Sequence, residues 1–297
     1  MTAVATSSRL LPRRRIAVPA KWRNPVGIAG AVIVLAVVFT ALFGHLLWTI
    51  DPNSPIYDRL QPPSWAHPMG TDDLGRDTMA RIIHGAQVSL QVGAVAIGIS
   101  LTLGLVIGLV SAFYRGPVDL VLMRCVDVVF AFPYLLLALL VVGLLGPSRV
   151  HAMMAIGIVF APQFARVIRA SVLEVMGQPY IESSRSLGAN DLRLMARHVM
   201  PNVLAPVIVL TTVYFSQAIL AEATLSFLGL GTQPPEAAWG NMLATARGFV
   251  DSNAWMSVFP GLAIMITVLG FNFLGDGLRD ILDPRLGGDI ADAVTKA

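Results

Sequence analysis

Residues 88–113 run 26 positions without a charged side chain. A run of that length predicts a helix that crosses a bilayer, because in hydrocarbon every backbone polar group must be bonded within the segment. Comparable runs follow the same logic. Residues 26–47 make a full span and are too long for the apolar core of a signal peptide. Residues 120–145, 203–221 and 255–274 supply three more, with Pro133 as a kink in the first of these. Residues 151–165 are the weakest candidate, contain Pro162, and reach spanning length only if Arg166 and Arg169 snorkel. With 55% of residues hydrophobic and 13% charged, the expectation is an all-α integral membrane protein with six transmembrane helices.

The segments between the runs suggest how the chain is oriented. Sixteen of its 21 Lys and Arg fall at the N-terminus, in the two loops on the same side with their span ends, and in the tail; only Arg59, Arg76, Arg81, Arg149 and Arg247 fall opposite. By the positive-inside rule both termini are cytoplasmic, and residues 51–86 and 226–254 are external. The divisions are then a basic tail (1–25), a first span with its external loop (26–86), a five-helix core (87–275) and a C-terminal tail (276–297). A net charge of +3, spread over loops, argues against a nucleic-acid partner and leaves membrane lipid as the general one.

Several side chains invite two readings. Asp72, Asp73 and Asp77 have no calcium-loop spacing and read as helix caps, with residues 77–85 lying on the membrane surface. Gly104 and Gly108 are spaced for close helix approach. Arg124 and Asp127 share a helix face and form an intramembrane ion pair, either a gate element or a structural pair. Cys125, the only cysteine, reads as a small buried hydrophobe. His45 reads as interfacial, since no second ligand is spaced to join it. Glu222 closes the fifth span near the external interface. The stripe Trp239, Met242, Leu243, Ala246 and Phe249 rests on lipid, a sister subunit or an external partner.

One polar stretch interrupts the apolar pattern. Gly177-Gln178-Pro179 ends one helix and starts another, a short helix runs to about Leu187, and Gly188 breaks it. Asn190 or Asp191 caps a second helix with Leu192, Met195, Ala196 and Val199 on one face and Arg193 and Arg197 on the other. Glu182 supports the first helix through its dipole and pairs with Arg185 or Arg193. Two short helices bent at a glycine form a knob too polar for lipid, which needs a partner surface.

The chain holds no G-x-x-x-x-G-K-[ST] phosphate loop, no H-E-x-x-H, no G-x-S-x-G and no evident relay of buried acids and histidines. A catalytic centre and a metal site are therefore not expected.

The polar stretch resembles the E-A-A, three residues, G, nine residues, I-x-L-P signature of permease subunits in bacterial binding-protein-dependent ABC importers. Glu182-Ser183-Ser184, Gly188 and His198-Val199-Met200-Pro201 keep its spacing, with Ser for both alanines, His for Ile and Met for Leu. Further blocks are similar to the C-type permease of the dipeptide, oligopeptide and nickel group. These are His67 to Asp77, Met123-Arg124 with Asp127 and Ala131-Phe132-Pro133, Leu225 to Gly231, Asp276 to Asp280, and Asp283-Pro284-Arg285.

The resemblance implies an importer permease core of the MetI-like type preceded by an extra N-terminal span, in a bacterial inner membrane. It implies coupling to an ATPase through residues 177–202, with Tyr180, Glu182, Ser183, Ser184, Gly188, Asp191, His198 and Pro201 as the contact residues. ATP and Mg would sit on that separate subunit, with no cofactor on this chain. A homologous B-type permease would complete the pathway, and an external binding protein would deliver dipeptides or oligopeptides. A secondary carrier or channel is the rival class; nickel or haem-like substrates are the rival cargo.

Overall fold

Between Thr78 and Tyr114 there is no proline and, after His84, no charge, so nothing interrupts helix α2 (Thr78–Tyr114) over its 37 residues. A computed structural model describes residues 24–282. The basic residues Arg9 to Arg23 and the Asp283-Pro284-Arg285 block lie outside them. Residues 77–85 do not form a separate surface helix; they are the first turns of α2. Gly85 does not end the helix because it lies against α9 (Trp239–Ala246), where a Cβ would stand 2.7 Å from the Trp239 ring. Asp77 caps α2 through Ala80 N at 2.7 Å and accepts from Trp48 Nε1 at 3.0 Å. Asp72 instead organises the loop: it accepts from the backbone of Leu74 and Arg76 and from Arg76 Nε at 2.6 Å.

Helix α5 (Arg149–Met176) is the centre of the bundle. Its modest apolarity has a physical reason, since Phe164, Ala165, Ile168 and Val172 are fully buried in protein and need not face lipid. Helix α2 runs parallel to it in backbone contact. A Cβ on Gly104 would collide with Phe164, and one on Gly108 would lie 2.7 Å from the Ala165 carbonyl. Ser100 Oγ adds a hydrogen bond to Gly157 O at 2.8 Å. Small residues permit such approach where no hydrophobic force between helices exists.

The third run breaks sharply just before and at Pro133. Helices α3 (Gly116–Phe130) and α4 (Tyr134–Leu145) meet at 89°. Arg166 and Arg169 of α5 reach Asp127 at 2.6 Å and Asp119 at 2.5 Å on α3. The two aspartates are about 12 Å apart along α3 and the two arginines about 4.5 Å apart along α5, so α3 must lie across α5. Only α4 runs back along it. This geometry turns Val126 inward and leaves Cys125 exposed, contrary to its expected burial.

Helix α1 (Pro25–Leu47) packs antiparallel on α10 (Trp255–Leu282). Gly27 meets Gly277, Gly30 meets Phe273 and Leu274, and Gly270 meets Ile33. Among the described residues five helices are long and apolar enough to cross a membrane, or six with the bent α3–α4 pair taken as one span.

The bundle has two distinct ends. At one, Asn24 donates to Asp280 at 2.5 Å near the end of α5. At the other lie the 48–77 loop, the Arg149–Glu236 ion pair at 2.5 Å and α9. The apolar stripe of α9 is covered by this chain itself: Trp239, Met242 and Ala246 are buried among α1, α2, α8 (Met200–Phe227) and α10, and Trp239 Nε1 donates to Ile82 O at 3.0 Å.

Candidate coupling element

At the end of the bundle that carries Asn24 and Asp280, α5 stops at Met176 because Gly177 caps it and Gln178 turns extended (φ −81°, ψ 141°). Pro179 then occupies the first turn of α6 (Pro179–Ser186), where its missing N–H costs nothing. The hydroxyls of Ser183 and Ser184 bond back to the carbonyls of Pro179 and Tyr180 at 3.1 and 2.8 Å. Glu182 lies exposed in the first turn, where a negative charge suits the helix dipole.

Gly188 ends α6 in the left-handed region at φ +85°. Gly188 N donates to Arg185 O and Ala189 N to Ser184 O, at 3.0 and 3.1 Å. This is the paired closure that makes glycine the favoured residue after a helix. Asn190 accepts from Arg193 N at 2.9 Å and caps α7 (Asp191–Leu194). Arg185 pairs with Asp191 at 3.5 Å across the bend. The expected Glu182 pairing is not formed; among the described residues Glu182 has no ion-pair partner.

The second limb is not a separate short helix. After α7 comes a π turn, Met195–Val199, which leads directly into α8 (Met200–Phe227). The wider turn brings Met200 N to Met195 O, next to Pro201, which has no N–H to give. Asn202 Nδ2 takes the His198 carbonyl at 2.7 Å. One extra residue per turn also shifts the buried face. Leu194, Val199, Val203 and Val207 now form one inward line, while Ala196 is exposed and Met195 only partly covered. Arg193 and Arg197 are exposed on the opposite side. The Leu192 side chain lies outside the described part.

These turns bring the two limbs together. The Tyr180 and His198 rings lie 5.8 Å apart, and Ile181 is buried in the bundle core with Leu194 and Val199. Tyr180 and Pro201 line a groove of about 990 Å³ that also carries Glu174 and Arg279. Asp191, Ser183 and Leu187 point outward, with Leu187 88% exposed at the tip.

Arg124 and Asp127 are not brought to this element as an isolated pair. Arg124 is 3.7 Å from Asp127 and its side chain 74% exposed. The closer partner of Asp127 is Arg166, which also stacks 3.8 Å from the centre of the Phe130 ring. Sequence reasoning missed that pairing and the Asp119–Arg169 one, since the partners are 39 and 50 positions apart. Glu222, read from sequence as closing its span near the external interface, is fully buried within the chain. There its Oε1 accepts from Ser226 Oγ at 2.6 Å, and Ser226 Oγ in turn accepts from Thr232 N at 2.9 Å. This holds the turn after α8, which closes on Gly229 (φ +78°) in the same way as the turn at Gly188.

In fold the chain is similar to the MetNI methionine ABC transporter in its inward-facing form, with a TM-score of 0.59 and 19% identity over 69% of this chain and 97% of that one. The family follows from sequence. Residues 104–288 match the binding-protein-dependent transport system inner membrane component, and residues 22–63 match the N-terminal TM domain of oligopeptide transport permease C. The chain is 43% identical to the di/tripeptide transport system permease protein DppC of Pseudomonas aeruginosa, over 89% of each chain. It is 42% identical to the dipeptide transport system permease protein DppC of Alkalihalophilus pseudofirmus, over 89% of this chain and 87% of that one. The chain belongs to the inner-membrane permease subunits of binding-protein-dependent ABC importers, and is a multi-pass inner-membrane protein.

Proposed function

We propose that this chain is the C-type permease of an importer for dipeptides and oligopeptides. A homologous B-type permease forms the other half of its pathway, a separate ATP-binding subunit docks on residues 177–202, and an external binding protein delivers the peptide. Its own role is non-catalytic; ATP and Mg belong to the docked subunit. The termini and the 177–202 element face the cytoplasm, as the distribution of Lys and Arg supports.

The observation that carries this reading is the continuity of the second limb with a span. Leu194, Val199, Val203 and Val207 line one buried face across α7, the π turn and α8. A push on α7 therefore moves α8 without a loop in between to absorb it. Helix α6 is fastened from the other side by Ile181 in the core and by the short 177–178 link to α5. The exposed residues Glu182, Ser183, Asp191 and Leu187 are free to meet the ATPase surface.

The test is reconstitution. The chain alone in liposomes is expected to move no labelled dipeptide under a proton or sodium gradient, and the full complex with binding protein and ATP is expected to accumulate it. Gradient-driven movement by the chain alone would make it a secondary carrier. Uptake of a nickel chelate or haem in preference to peptide by the full complex would overturn the assigned cargo.

A further inference from the structure

Where the 48–77 loop meets the first turn of α2, α9 and the first turn of α10 close over a small cavity of about 20 Å³. Asp72, Arg76, Thr78 and Arg81 line its polar side, and Met242 and Met256 its apolar side. All six are buried. Thr78 and Arg81 stand three positions apart and so share one face of α2. The Thr78 hydroxyl, on a side chain 1% exposed, has no hydrogen-bond partner among the described residues. Arg81 donates through Nη1 to the Pro52 carbonyl at 3.0 Å. Its Nε, however, stands 3.6 Å from Asp72 Oδ2, beyond the reach of a direct hydrogen bond.

We propose that this cavity is a binding site for one water molecule, held by Thr78 Oγ1, Arg81 Nε and Asp72 Oδ2. A buried water needs about 10–15 Å³ and two to four polar partners, and the cavity offers room for one and three such partners. The water accepts from Arg81 Nε, donates to Asp72 Oδ2 and bonds the Thr78 hydroxyl, which closes a polar gap too wide for direct contact. Other ligands do not fit. A metal cation would face two guanidinium groups, and the one lining carboxylate, Asp72, already accepts from Leu74 N, Arg76 N and Arg76 Nε. A carboxylate or a phosphate is larger than the space, and the buried walls give the side chain of a partner no entry. Asp72 belongs to the loop, and Thr78 and Arg81 belong to α2. The bound water therefore ties the loop to the start of α2 beneath α9 and α10, and the four elements move as one body.

The experiment is a high-resolution electron cryomicroscopy map of the assembled importer, recorded in sodium and in choline buffer. One peak is expected within about 3.2 Å of all three atoms, equally strong in both buffers. Hydrogen exchange supplies the second readout, at the amides of Leu60 and Asp72, which bond across the loop to Asp72 O and Arg76 O at 3.0 Å each. Thr78→Val keeps the shape and removes the hydroxyl; it should lose the peak and speed exchange at these amides roughly three- to tenfold, the effect of one hydrogen bond. Thr78→Ser should keep both the peak and the slow exchange, and α5 amides should not change in either variant. The proposal is overturned by a wild-type map with no peak, which needs no variant to fold. It is equally overturned by a peak present in sodium and absent in choline, which would make the ligand a cation, or by a peak that survives Thr78→Val. Exchange in Thr78→Ser as fast as in Thr78→Val would also overturn it, because the methyl group and not the hydroxyl would then hold the corner.

Discussion

Gly188→Val is expected to leave the complex assembled and to cut ATP-coupled peptide uptake about tenfold or more. Gly188 sits at φ +85°, a region that a β-branched residue enters only under strain of about 1–3 kcal/mol. The space around it is open, because a Cβ there would meet nothing within 4 Å. The substitution therefore provokes no collision in the core, and folding and partner binding should survive. What changes is the bend. Relaxing φ breaks the bonds from Gly188 N to Arg185 O and from Ala189 N to Ser184 O and re-aims α7 relative to α6. Since about 1.4 kcal/mol corresponds to a tenfold change in a population, the docked conformation becomes a minor one. ATP hydrolysis is expected to continue while uptake falls. Gly188→Asn should retain more transport than Gly188→Val, because asparagine tolerates the left-handed region. Paired measurement of hydrolysis and uptake in proteoliposomes checks this; uptake at the wild-type rate by the valine variant would contradict it.

Gly104→Val has the opposite character, destroying packing rather than coupling. A Cβ at that position collides with Phe164 and lies 2.9 Å from the Ala165 backbone nitrogen and 3.1 Å from the Ala161 carbonyl. Backbone atoms of α5 cannot rotate away as a side-chain tip can, so α2 and α5 must separate along the most buried seam of the bundle. Overpacking of this kind costs about 1–3 kcal/mol and more where nothing yields. Each kcal/mol is worth about 2–4 °C of melting temperature in a chain approaching this size. The control is on the same helix: Gly98 has open space where its Cβ would go, so Gly98→Val should melt close to wild type. Thermal unfolding in detergent compares the two. Equal melting temperatures would mean that the α2–α5 contact does not carry the stability assigned to it.

What the sequence made legible was set by local chemistry. Uncharged runs specify spans whatever their neighbours, and Gly188 with Asn190 specifies the bend because both act on their own backbone. The misreadings arise where partners are distant or where the period changes. The right angle between α3 and α4 depends on which acid each of Arg166 and Arg169 chooses, and those acids stand 39 and 50 positions away. Pro133 signals a break but not its angle. The face of the second limb was assigned at a period of 3.6, and the π turn beside Pro201 replaces Ala196 with Leu194 as an inward residue. The α9 stripe was open between lipid, a sister subunit and another partner because periodicity reveals an apolar face but not what covers it; Trp239 is covered by α2 of the same chain. Burial of Glu222 follows from the turn that Ser226 and Thr232 fold around it, a shape that no local pattern encodes.

The most direct measurement of the central idea, that residues 177–202 engage the ATP-binding subunit, uses the tip of the bend. Leu187 is 88% exposed there, and the single native cysteine, Cys125, is removed by Cys125→Ser. A photoreactive maleimide on Leu187→Cys in the assembled, transport-active complex should yield one major adduct, with the ATP-binding subunit, and the yield should change when ATP is added. An adduct with the sister permease or the external binding protein instead, or none with the ATP-binding subunit in a complex that still transports, would contradict the account.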